Sequence, residues 1–287
     1  LGPQIEGRRV VAASVKNPIV LRILVPGSFP ALLADRTLRG LERHGPFLRL
    51  RLEPPGDSPG EGAGTLDLVL HLMLAGRLKL APPGKGPESR PLPFTAFSLE
   101  LDDGRVLHYG DEVSMGKVYL CPSGSHEAIP GYLSQGVDVA SPGFSFEVFT
   151  SLIAGRRCQA RVFVMDQSRL SAIGNAYADE ILFEAGIHPK ATCNSLPPEK
   201  RRALYEAIVS VLAWGVEEVE KSGSPLEAEV RGHMRVRGRA GQKCPRCGAT
   251  IRVAGVLGYD SFFCPMCQPD LAGRGLDWAR LEKGGRP

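Results

Sequence analysis

Nowhere in the 287 residues is there a run of about 18 apolar side chains, so no membrane-spanning helix is expected. The opening residues also lack a charged stretch followed by an apolar one, so no secretory signal is read there. The cysteines fit a disulfide framework poorly. Of seven cysteines, Cys121, Cys158 and Cys193 are scattered, which fits a reducing compartment. The most informative absence is of negative charge. Between Val230 and Tyr259 there is no Asp or Glu, while Arg231, Arg235, Arg237, Arg239, Lys243, Arg246 and Arg252 are all basic. The whole chain carries only +4, so this excess is local, and it has the sign a polyanion attracts. A solvated basic face is the plainer alternative.

The remaining cysteines form two pairs, Cys244-x2-Cys247 and Cys264-x2-Cys267, separated by sixteen residues. That spacing is characteristic of a four-cysteine zinc ribbon. Four thiolates about 2.3 Å from Zn2+ complete a tetrahedron and leave no position for a catalytic water, so the metal is expected to be structural. Between the pairs, residues 250–256 and 259–263 read as two strands turning near Gly258.

Ahead of the cysteines the chain changes character near residue 140. Residues 8–52 are strand-like, with Arg49, Leu50, Arg51 and Leu52 alternating at the period of a half-buried strand. Residues 53–64 are a loop of Pro, Gly and acids, too poor in apolar groups to pack. Residues 65–80 read as a buried strand, a turn at Ala75-Gly76 and a second strand. Asp102-Asp103-Gly104 reads as a hairpin turn. From residue 141 the pattern is helical, over 144–154, 156–166, 175–185 and 198–221. On the last, Leu204, Ile208, Leu212 and Val216 are expected to form the buried face. The fold class is therefore α+β: a β-sandwich over 1–140, a helical domain over 141–235, a zinc hairpin over 236–269 and an extension over 270–287.

Within the helical part, Ile173-Gly174-Asn175 is a short turn followed by apolar residues Ala178, Ile181, Leu182 and Ala185 at helical spacing. Asn175 reads as an N-cap, and a helix opened by Gly-Asn offers free N–H groups to a phosphate. An ordinary capped core helix would look the same.

The run MDQSRLSAIGNAYADEILFEAGIHP, Met165 to Pro189, resembles the helix–two-turns–helix segment of the formamidopyrimidine-DNA glycosylase / endonuclease VIII family. The cysteine set follows in the family's order, so the resemblance covers nearly the whole chain. It implies a base-excision-repair glycosylase and abasic-site lyase that extrudes a damaged base from double-stranded DNA. The expected protein is a cytoplasmic or nucleoid-associated monomer with one zinc.

By resemblance, Asn175 with Gly174 contacts the DNA backbone beside the lesion. His71 contacts a phosphate, Leu74 fills the gap left by the extruded base, and Arg161 matches a backbone-binding lysine. Tyr259 falls near the family's finger-loop arginine. Taken alone, His71 in an apolar strand would be read as a satisfied core residue.

Other positions depart from the family. Pro46 stands where a strand lysine is expected, and Val113-Ser114-Met115 replaces an Arg-Arg-Phe wedge. The family's nucleophile is an N-terminal proline amine beside a glutamate. Leu1 to Val10 aligns with the end of the family's first helix and the following strand, so a helix-length of chain is expected ahead of Leu1. Pro3 is an amide here and Glu6 has no neighbouring amine, so no catalytic residue is assigned. Two alternatives stay open: a damaged-DNA-binding protein that lacks the chemistry, and a zinc-ribbon protein that binds RNA or a protein.

Overall fold

The computed structural model describes residues 1–56 and 64–270. They form two compact units, one comprising Leu1–Gln135 with Gly223–Glu229, the other Gly136–Ser222 with the chain from Val230 onward. The extension expected over 270–287 lies outside the described residues, Asp270 apart.

The first unit opens with a short helix, α1 (Gly2–Ile5), then β1 (Val10–Val15), β2 (Leu21–Ile23), α2 (Phe29–Leu33), β3 (Thr37–His44) and β4 (Phe47–Glu53). Next come β5 (Leu66–His71), β6 (Gly76–Ala81), β7 (Thr95–Leu101), β8 (Val106–Asp111) and β9 (Lys117–Pro122). They make two sheets, ordered β1-β7-β8-β6 and β2-β9-β5-β4-β3. Leu50, Leu52, Leu68 and Leu70 from one sheet meet Leu78, Phe97, Leu99, Leu107 and Tyr109 from the other in a single core. Each such fully buried side chain contributes about 1.5–3 kcal/mol, which is what holds a sandwich together. Strand β5 shows no alternation because both its faces are covered. Its outer face packs Val69 with Phe47, Tyr119, Cys121, Ile129 and Tyr132.

Residues 65–80 do not form a hairpin. β5 pairs with β4 and β9, whereas β6 pairs with β8, so residues 72–75 carry the chain from one sheet to the other. Residues 112–116 carry it back between β8 and β9. Register places the two crossovers side by side, because His71 lies opposite Lys117 and Gly76 opposite Asp111. Both corners use a left-handed residue, Met73 at φ 51° and Ser114 at φ 53°.

The second unit contains β10 (Val137–Asp138), α3 (Phe146–Ile153), α4 (Ala160–Val164), β11 (Leu170–Ser171), α5 (Asn175–Glu184) and α6 (Pro198–Lys221). A hairpin of β12 (Arg252–Val256) and β13 (Tyr259–Phe263) follows. Phe149, Phe163, Ala178, Ile181, Leu182, Leu204 and Ile208 form its core. α6 starts on Pro198, whose missing N–H is no loss in a first turn, and ends with Lys221 at the negative end of the dipole. Its buried stripe is Leu204, Ala207, Ile208, Val211 and Gly215. Val216, expected inside, is 59% exposed. Residues four apart drift around a helix of about 3.6 residues per turn, so the stripe passes to Val211 and Gly215, where Tyr177 of α5 lies so close that a Cβ would meet its ring at 2.3 Å.

Candidate nucleic-acid interface and zinc centre

The sulfur atoms of Cys244, Cys247, Cys264 and Cys267 all lie within 4.8 Å of one another. Cys244 and Cys267 are 3.9 Å apart, and Cys247 and Cys264 3.5 Å. A tetrahedron with Zn–S bonds of about 2.3 Å has edges of about 3.8 Å, so the set fits zinc. Without a metal the thiols share protons: the Ala249 amide and the neighbouring thiols lower Cys247 to about 7, while burial and the same neighbours raise Cys264 and Cys267. Gln268, fully buried, ties the site to the helical core: its side chain accepts from the Cys264 N–H and donates to the Ile187 carbonyl, each at 2.9 Å.

The zinc hairpin is docked on the acids of α5. Asp179 is completely buried. Its Oδ1 accepts from Arg161 Nε at 3.2 Å and from Ser261 Oγ at 2.7 Å, and its Oδ2 accepts from Arg237 Nη1 at 2.9 Å. Glu180 accepts three successive amides, those of Arg235, Val236 and Arg237, at 2.9–3.0 Å. Glu184 pairs with Arg235 and Arg246. The arginines also stack: Arg235 over Trp214, Arg237 over Phe262 and Arg246 over Phe183. Part of the basic excess thus neutralises carboxylates of the same unit. The sequence carries a sign of this, since α5 concentrates acids while residues 230–259 have none.

Asn175 is not the N-cap. Gly174 takes that place with φ −98°, and Asn175 is the first helical residue. Its side-chain oxygen instead accepts from Arg161 Nη2 at 3.0 Å. Arg161 departs from the expectation as well. It is 1% exposed and divides its guanidinium among Asp179, Asn175 and the Asp260 carbonyl. A guanidinium so committed holds Asn175 in place instead of facing a phosphate itself. Gly174 is exposed, and no side chain caps the helix, so its first N–H groups are open to an anion.

Comparison with known proteins agrees with this architecture. The formamidopyrimidine-DNA glycosylase N-terminal domain matches residues 1–118, its H2TH domain matches 135–226, and the zinc finger found in FPG and IleRS matches 241–269. The formamidopyrimidine-DNA glycosylase of Symbiobacterium thermophilum is 32% identical over all of this chain and 91% of its own length. This chain belongs to the formamidopyrimidine-DNA glycosylase family. The enzyme of that name from Moorella thermoacetica is 32% identical, over 88% of this chain and 89% of its own. Among solved structures, the MutM (Fpg) protein of Thermus thermophilus superposes with a TM-score of 0.76 at 29% identity, covering 93% of this chain and 94% of that one. A Lactococcus lactis Fpg complexed with abasic-site DNA shares the fold, with a TM-score of 0.77 at 23% identity, covering 94% and 96%.

In the family's N-terminal domain, His71 is half-buried at the end of β5, its ring edge-on to Phe47. Burial holds it below its usual range, hence neutral, and its Nδ1 accepts the Met73 N–H at 3.1 Å. The proton therefore sits on Nε2, which has no protein partner among the described residues and is left able to donate. Leu74 (59% exposed) and Met73 stand on one crossover; Val113 and Met115 stand exposed on the other. Asp111 shapes this second corner by accepting from the amides of Val113 and Gly116. Pro46 sits in the turn between β3 and β4, beside His44, whose Nε2 is 2.8 Å from the Tyr132 carbonyl oxygen. Glu6 is occupied: its carboxylate accepts from the Gly40 amide. Tyr259 is exposed at the start of β13. No helix of the described residues is long and apolar enough to cross a membrane.

Proposed function

We propose that this formamidopyrimidine-DNA glycosylase is a base-excision-repair enzyme, a glycosylase and abasic-site lyase acting on damaged bases in double-stranded DNA, working as a cytoplasmic or nucleoid-associated monomer. The observation that carries the reading is the buried node Asp179–Arg161–Asn175, at which the zinc hairpin and the open helix N-terminus are locked together. In this reading Asn175 and the amides behind Gly174 hold a backbone phosphate, and His71 Nε2–H donates to another. Leu74, with Met73, Val113 and Met115, fills the space an extruded base vacates, as apolar wedges do. Tyr259 adds a contact from the hairpin.

The domain assignment follows the same logic, with 1–140 bearing the wedge, 141–235 the phosphate site and 236–269 the hairpin. A binder without chemistry is the second reading, favoured by Pro46 standing where a strand lysine is expected and by Val113-Ser114-Met115 in place of the arginine wedge. Borohydride trapping on an abasic-site duplex, using the full-length protein, separates the two. A covalent protein–DNA adduct supports the lyase, and tight binding without an adduct supports the binder. Binding itself is tested with Asn175→Ala. The expected result is weaker affinity for damaged and undamaged duplex alike, and unchanged affinity would remove Asn175 from the site.

A further inference from the structure

The tip of the zinc hairpin breaks a local rule. β12 and β13 are paired up to Val256 and Tyr259, which leaves a two-residue turn of Leu257 and Gly258, both left-handed at φ 47° and φ 81°. Such a turn is strongly selective for Asn, Asp or Gly at its first position, because a branched aliphatic residue is strained there. Leu257 is nevertheless in that place, and at 75% exposure it recovers no burial in return. Tyr259 (56%) and Val253 (43%) are exposed nearby. A strained residue that gains nothing from the fold points to a use outside it.

Two further observations say what that use is. The run Ala254 to Tyr259 carries no charged side chain. The acid-free stretch from Val230 also lines an open concavity of about 430 Å³ with Arg231, Arg239, Gln242 and Arg237, the last of these paired with Asp179. Cations at the base and an aliphatic tip suit a polyanion whose interior is apolar, which describes duplex DNA: phosphates outside, stacked bases within.

We infer that Leu257 is an apolar wedge that the hairpin presses between stacked base pairs, with Tyr259 against the sugar or base beside it. This rests on the proposed DNA-binding function and adds to it a second point of insertion, on the zinc hairpin, independent of Leu74. The contact is non-ionic, so it adds affinity without adding to the salt dependence, whereas each lysine or arginine on a phosphate steepens that dependence.

The test uses Leu257→Asn, the substitution the turn itself prefers. Thermal stability, affinity for an abasic-site-analogue duplex across a salt series, and the fluorescence of 2-aminopurine placed along the duplex are measured on the zinc-loaded protein. The expected variant melts no lower than the wild type and binds roughly 10-fold more weakly, about 1.4 kcal/mol. Its slope of log affinity against log salt is unchanged, and it loses a fluorescence rise that the wild type produces at one position. Affinity within twofold of the wild type, with the fluorescence rise kept, overturns the wedge while leaving DNA binding intact. A wild type that does not bind duplex overturns both.

Discussion

Substituting Asp179 by alanine tests the node on which the second unit turns. The carboxylate is fully buried and meets Arg161 and Arg237 as well as the Ser261 hydroxyl. Removing it leaves the Arg161 guanidinium, whose side chain is 2% exposed, with only neutral acceptors: the Asn175 side chain and the Asp260 carbonyl. Arg237 is more open at 21% and can rehydrate, so most of the loss belongs to Arg161. Breaking a buried pair from one side costs about 3–5 kcal/mol, and for a unit of this size that lowers the midpoint by roughly 10 °C. Trp214, stacked under Arg235, reports the transition by fluorescence in thermal or urea unfolding. Affinity for duplex DNA falls as well, because Arg161, which orients Asn175, loses the carboxylate that fixes its own position. The control is Glu206→Ala, which removes an exposed pair with Arg202 on α6 and is expected to leave the midpoint in place. An Asp179→Ala protein that melts within about 2 °C of the wild type would refute the argument that this carboxylate balances Arg161.

Chelation is expected to release one zinc per chain and unravel the hairpin while α3–α6 keep their far-UV signal; metal analysis with circular dichroism checks both. Burial lowers the pKa of His71, and burial together with Lys79 and Lys16 lowers that of His108. The unfolded chain therefore takes up these protons more readily, and stability should hold above pH 6.5 and decline as pH falls below it. Denaturant unfolding from pH 5 to 8 should show a shallower decline for His108→Gln. Leu74→Ala removes a side chain that is 59% exposed, so the midpoint should not move, whereas affinity for an abasic-site duplex should fall by up to about 10-fold. Equal affinity would exclude Leu74 from the contact.

The zinc set was legible because the chemistry needs four thiols at a spacing that little else explains. The sandwich was legible in outline, since turns such as Asp102-Asp103-Gly104 and runs such as Arg49 to Leu52 are local signals. Which strand lies beside which was not, because residues 72–75 look like a hairpin turn until the pairings of β5 and β6 are known. The face of α6 departs from the expectation at Val216 because a strict four-residue spacing drifts off one side of a helix of about 3.6 residues per turn. The largest gap concerns charge. Arg161 and the arginines of residues 230–259 looked available to a polyanion, yet several answer Asp179, Glu180 and Glu184, partners remote in sequence. Local patterns give the sign of a charge, and only the fold gives its counter-charge.

Arg161 reads two things at once: the side chain of Asn175 at the head of α5, and the backbone carbonyl of Asp260, one residue past Tyr259 on the hairpin. Arg237 grips the same carbonyl. The helix head and the hairpin tip are therefore the two jaws of one caliper, with the gap set by a buried guanidinium. A caliper accepts an object by its width. Neither jaw can shift without breaking a hydrogen bond to the buried Arg161, so the spacing between helix head and hairpin is built into the second unit.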